Sequence, residues 1–306
     1  MTEVAVAAPA GEDSRPLVAL AFMIGATAAF TLMAVSGREL AGRLDTFEIM
    51  TYRSLIGLAV VVAVAWGRGL TKDIHARRLK LHFLRNAFHF AGQNLWFFAV
   101  GLIPFSQLFA FEFSAPLWVA LLAPVFLNEK LTRTRLFAAA IGFAGILLVA
   151  RPDAAEISPG LIAALLAAFA FTGTAIATKL LTRTETTISI MFWLTSMQLV
   201  FGVICAGHDL DIRLPGPEEL PWVIAVGVCG LLAHFCLTKA LTYAPATVVY
   251  PLDFARLPVV ALIGMMFYDE PLLPLVFLGA AIIFLANWLN IRTEASGRAK
   301  ARKRRA

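Results

Sequence analysis

Apolar residues run along this chain in long blocks separated by short polar joints. Ten blocks lie near 17–37, 46–66, 81–101, 104–127, 134–150, 159–180, 187–206, 219–241, 245–267 and 272–291. Each approaches the ~20 residues with which a helix crosses a ~30 Å hydrocarbon layer. In a block such as LFAAAIGFAGILLVA every helical face is apolar, unlike the one-sided stripe of a water-facing helix or the alternation of a barrel strand. The pattern predicts an all-α integral membrane protein with ten transmembrane helices.

Composition agrees with that pattern. Of 306 residues, 59% are apolar and 15% charged, against roughly a quarter charged in a soluble domain, so polar groups are too few to cover a water-facing exterior. Ten spans leave room for short loops and two tails, 1–16 and 293–306, and for no extramembrane domain. The AVAAPA stretch precedes the first block, whereas a signal-peptide cleavage site would follow it, so the N-terminus is expected to be retained. Cys205, Cys229 and Cys236 lie in apolar blocks without a metal-binding or disulfide spacing.

Charge gives an orientation. The N-terminus, the loops after spans 2, 4, 6 and 8, and the C-terminus hold 18 Lys and Arg, while the other side holds Arg38, Arg43, Arg151 and Arg213. The positive-inside rule then places both termini in the cytoplasm of a bacterial inner-membrane protein. The basic tail GRAKARKRRA suits anionic lipid headgroups, and nucleic acid is not expected as a partner.

The sequence also repeats. An offset of 141 sets VALLAPVFLNE at 119–129 on VALIGMMFYDE at 260–270 with five identities, and pairs Phe30 with Phe171, Arg38 with Lys179, Pro104 with Pro245, and Glu112, Phe113 with Asp253, Phe254. Repeats of 17–152 and 153–292 with five crossings each must enter the membrane from opposite sides, giving two inverted five-helix repeats. That architecture belongs to alternating-access carriers, with the solute site at mid-membrane between the halves.

The segments APLWVALLAPVFLNEKLT and LPVVALIGMMFYDEPL, each followed by a Gly- or Ala-rich span, and the arginine of TYRSLIGLAVV resemble the EamA group of the drug/metabolite transporter superfamily. The resemblance implies a ten-helix fold and solute transport. Similar proteins include exporters of amino acids and carriers of riboflavin and S-adenosylmethionine, so amino-acid export and uptake of a vitamin or nucleoside-like metabolite are both implied.

Ionisable groups inside a span are costly and tend to face a partner or a wet cavity. Arg53, Arg85, Glu112, Lys239, Asp253 and Arg256 are the candidates. Glu112 and Asp253 each follow a proline by eight residues, about 12 Å along a helix, and approach mid-membrane from opposite sides. They either bind an amine or proton or tie their helices to arginines. In span 3, Arg85, His89, Gln93 and Trp96 follow i, i+4, i+8, i+11, with Asn86 and Asn94 beside them, a stripe that lines the path or glues helices together. Arg85 and Lys239, near the cytoplasmic ends, are placed to snorkel. The offset sets Gln93 on His234. Thr31 and Thr172 match in spans 1 and 6, while Arg38 and Lys179 end those stripes as exit-point anchors. Tyr250 completes the substrate-binding candidates as an aromatic group. Glu270 precedes span 10, where capping is expected. Pro104, Pro116, Pro245 and Pro258 remove helical hydrogen bonds and are candidate gate hinges.

No HExxH, GxSxG or phosphate loop is present, so an enzyme is not expected, nor is a cofactor or metal. A secondary transporter of a small organic solute fits best, acting as a monomer. Zwitterions or anions, aromatic ones included, suit the intramembrane charge. A receptor or channel is the less favoured alternative.

Overall fold

The computed structural model describes residues 16–127, 133–150, 158–208, 211–244, 249 and 252–303. They form helices throughout, with no strand among them: α1 (Pro16–Leu40), α2 (Thr46–Gly67), α3 (Leu79–Val100), α4 (Phe105–Glu112), α5 (Ala115–Leu127), α6 (Arg133–Ala150), α7 (Pro159–Leu181), α8 (Thr187–Ala206), α9 (Leu220–Tyr243), α10 (Arg256–Tyr268) and α11 (Pro274–Lys303). A short 3-10 turn, Leu70–Asp73, follows α2. Five helices, α1, α2, α7, α8 and α9, are long and apolar enough to cross a membrane. Outward-facing side chains such as Val60, Val64, Trp66, Leu147, Phe235 and Leu278 are exposed, as lipid-facing residues should be.

The main packing partners come from opposite halves of the sequence: α1 lies on α9, α3 on α7, α2 on α8 and α6 on α11. Exchanging the halves maps the first pair onto the second and each of the others onto itself. At the α6–α11 crossing the backbones touch. A Cβ added at Gly145 would stand 2.7 Å from the Gly279 carbonyl oxygen, and one at Gly279 would stand 2.6 Å from that of Gly145.

The fourth apolar block, expected as one helix, is two. α4 stops at Glu112, Phe113 and Ser114 form a turn, and α5 starts at Ala115. The second half does the same 141 residues later: the helical turn ends at Asp253, Phe254 and Ala255 turn, and α10 starts at Arg256. The prolines stand at helix starts. Pro104 stands just ahead of α4, Pro116 is the second residue of α5 and Pro258 the third of α10. Proline in a first turn lacks an N–H that would have been unbonded anyway, so these residues start helices rather than bend them. Pro245 and Tyr250 lie outside the described residues. Groups freed at the first break find partners: Ser114 Oγ donates to the Phe111 carbonyl at 2.6 Å, and Asn287 Nδ2 of α11 donates to the Phe113 carbonyl at 2.8 Å. Satisfying such groups inside the protein is what lets a helix break at membrane depth.

Connections gather at two ends. At one, the α1–α2 turn, the α8–α9 loop and the starts of α2 and α9 are joined: Asp45 and Glu48 form a capping box on α2, Glu48 accepts from the Arg213 N–H at 2.6 Å, and Arg213 pairs with Glu219 at 2.7 Å. At the other, the α2–α3 loop meets the start of α8, where Trp193 Nε1 donates to the His75 carbonyl at 2.7 Å and Thr186 to that of Asp73, also at 2.7 Å.

Candidate functional site

The two helix breaks meet. Phe113 and Phe254, one residue past each carboxylate and 141 apart, stack at 4.4 Å between centroids with planes 23° apart. Beside them Arg256, only 2% exposed, pairs with Glu112 at 3.0 Å and Asp253 at 3.3 Å. Its guanidinium also lies over the rings of Phe30, Phe109 and Phe113, 4.4 to 5.0 Å from their centroids, which favours a desolvated cation. Trp96 Nε1 of α3 donates to the other Glu112 oxygen at 2.8 Å. The sequence left Glu112 and Asp253 open between a site and a tie to arginine. Geometrically they are tied, and to the same arginine. Glu112 keeps 22% of its side chain exposed, and Asp253 Oδ1 is buried without a hydrogen-bond partner.

The span 3 stripe faces inward throughout: Arg85, Asn86, His89, Gln93, Asn94 and Trp96 are all buried. Arg53 of α2 donates to Gln93 Oε1, joining the stripe to an arginine of another span. Arg85 does not snorkel. Its Nε donates to Thr178 Oγ1 at 3.1 Å and its Nη1 to Asn86 Oδ1 at 3.0 Å, while Asn86 reaches the Trp193 carbonyl of α8 at 3.1 Å. The Asn86 side chain thus performs the helix-gluing role, whereas His89 Nδ1 is buried and unpartnered. His234 of α9 is exposed and meets the Phe30 ring edge-on at 5.4 Å. His89 meets Phe171, the repeat mate of Phe30, at 6.2 Å. Thr31 Oγ1 is buried without a partner, whereas Thr172 Oγ1 donates to its own helix at Ala168 (2.8 Å) and to Ala115 at the α5 start (3.3 Å).

A second polar group was missed as a unit. Arg38, expected as an interfacial anchor, turns inward: it pairs with Glu270 at 2.8 Å and donates to the carbonyls of Val100 and Ile103, the latter at 2.7 Å. Glu270 does not cap its own following helix. It accepts from the Phe105 N–H at 2.8 Å, at the start of α4. Tyr268 donates to Glu39 at 2.7 Å alongside. The ends of α1, α3 and α10 and the start of α4 are thereby fastened together. The only sequence signal was that Arg38 and Glu270 both fall at span ends on the same side. Two apolar grooves elsewhere, one among Leu117, Trp118, Leu136 and Phe143 and one among Leu17, Phe22 and Cys236, carry no charged lining residue.

The EamA-like transporter family profile matches twice, over 17–151 and 158–292. The chain belongs to that family. An S-adenosylmethionine uptake transporter of Rickettsia bellii is 27% identical over 87% of this chain and 90% of its own length. A riboflavin transporter of Brucella anthropi is 28% identical over 74% and 81%, and one of Rhizobium johnstonii 26% identical over 92% and 94%. A crystal structure superposes with a TM-score of 0.61 at 19% identity, covering 90% of this chain and 97% of that one; it supports the fold alone. This EamA protein is therefore a membrane transporter of the drug/metabolite superfamily, and amino-acid export finds no support among these relatives.

Proposed function

We propose that this EamA protein is a secondary transporter that moves a small organic solute across the bacterial inner membrane by alternating access, with ten membrane crossings arranged as two inverted repeats. The observation that carries the reading is the pair of helix breaks at matching positions of the two halves, meeting at the Phe113–Phe254 stack. Broken helices at a repeat interface are where carriers of inverted-repeat design hold their solute. The exchange symmetry of the helix pairs supports a two-fold relation between halves, and each half having an odd number of crossings makes the axis lie in the membrane plane.

The solute site is formed by Arg85, His89, Gln93 and Trp96 of α3, Glu112 and Asp253 at the breaks, His234, and Thr31 and Thr172 on the flanking helices. The basic loops put both termini in the cytoplasm, so the Arg38–Glu270 cluster shuts the periplasmic mouth. Pro104, at that mouth, and Pro116 and Pro258, at the breaks, mark the segments that swing when the mouth opens. Names of the relatives favour uptake of a vitamin or nucleoside-like metabolite as the second reading.

The test is transport by the purified protein in sealed liposomes loaded with candidate solutes, read as exchange of labelled for unlabelled solute. Exchange that saturates and needs the protein supports a carrier. Solute flux that never saturates contradicts it and favours a channel.

A further inference from the structure

Among the described residues, two arginines in the bundle have no acidic partner. Arg38 and Arg256 are each paired with carboxylates, but among the described residues none pairs with Arg53 or Arg85. Arg53 bonds through Nη1 to Gln93 and Met50 Sδ, and Arg85 through Nε and Nη1 to Thr178 and Asn86. A guanidinium presents five N–H donors. The Nε and Nη2 of Arg53 and the Nη2 of Arg85 therefore donate to nothing among the described residues.

Arg85, His89 and Gln93 stand on successive turns of α3 and Arg53 is bonded to Gln93, so the two guanidinium groups flank His89. His89 keeps a buried, unpartnered Nδ1. The repeat-related rings Phe30 and Phe171 stand against His234 and His89. A pair of cations with unused donors, Arg85 buried and Arg53 half-buried beside the buried His89, is costly unless an anion enters. Planar guanidinium groups suit carboxylate and phosphate oxygens.

We infer that Arg53, Arg85, His89 and His234 receive the acidic group of the transported solute, a carboxylate or phosphate, with Phe30 and Phe171 beside an apolar or aromatic body. The inference rests on the carrier reading above and narrows it: the solute carries an acidic group. Glu112 and Asp253 are both engaged by Arg256, so their one excess negative charge stays beside that arginine and is not paired with Arg53 or Arg85.

Four probes share a phenyl ring: phenylacetate, phenyl phosphate, 2-phenylethanol and 2-phenylethylamine. At fixed ionic strength, one or both anions should raise the unfolding temperature of the purified wild-type protein, and the alcohol and the amine should not. Arg53→Gln and Arg85→Gln should each raise the anion concentration needed by about tenfold to a hundredfold, the size of a lost charge-assisted hydrogen bond. Stabilisation by the amine at similar or lower concentration, by neither anion, or equally in both folded variants overturns the inference. Should the variants fail to fold, the wild-type ranking decides by itself. Exchange of 2-phenylethylamine but not phenylacetate across liposomes would keep the carrier and remove the anion site. Anion stabilisation without any exchange would do the reverse.

Discussion

Arg256 holds two carboxylates on its own, and this asymmetry decides how the central residues respond to change. Its repeat mate is Ala115, so the halves share one cation for two acids. Removing one acid leaves a matched pair. We therefore expect Glu112→Gln and Asp253→Asn each to fold normally, with unfolding temperatures within a few degrees of wild type, while solute exchange falls at least about tenfold if these groups take part in the cycle. Wild-type exchange rates in both would remove them from the site. The double variant strands a buried cation, and Arg256→Met strands two acids; each should cost about 3–5 kcal/mol of stability, measured by thermal unfolding. A double-variant loss equal to the sum of the single losses would contradict the shared arrangement. At this scale the sequence was partly legible. The stripe spacing placed Arg85, His89, Gln93 and Trp96 on one inward face because helical periodicity is local. That Arg53 joins them, and that Arg38 reaches Glu270, depends on contacts 40 and 232 residues apart, which no local pattern encodes.

Among the elements, the broken fourth helix is the main departure from the sequence reading. Its residues are apolar on both sides of the break, so hydropathy runs on through Phe113 and Ser114. The interruption is decided by side chains that supply partners to the freed carbonyls, Ser114 from within and Asn287 from α11. Asn287→Leu should leave the Phe113 carbonyl unsatisfied and cost about 1–3 kcal/mol; an unchanged unfolding temperature would mean that the break does not need this support. The α6–α11 crossing gives a second check. Gly145→Val places a side chain against the Gly279 backbone and should destabilise by about 1–3 kcal/mol through overpacking, whereas the same change at Gly67, where an added Cβ meets nothing within 4 Å, should cost less.

For the whole molecule, the 141-residue offset was the most informative feature of the sequence, because a repeat constrains topology without any knowledge of contacts. It pairs Phe113 with Phe254, which stack on each other, and the two EamA matches begin 141 residues apart. The fastening of helix ends around Arg38 and Glu270 was not legible, since it depends on which helix ends approach. The central claim is that the residues between the halves become wet from each side of the membrane in turn. In a cysteine-free background, His234→Cys and Gln93→Cys are placed in sealed, oriented vesicles and labelled with a membrane-impermeant thiol reagent added from one side or the other, with Leu147→Cys as an exposed apolar control. Both central positions should react from both sides and Leu147→Cys from neither, and an added cross-link between Arg38→Cys and Glu270→Cys should abolish labelling from the periplasmic side alone. Labelling of the central positions from one side only, or labelling from both sides that the cross-link leaves unchanged, would contradict alternating access.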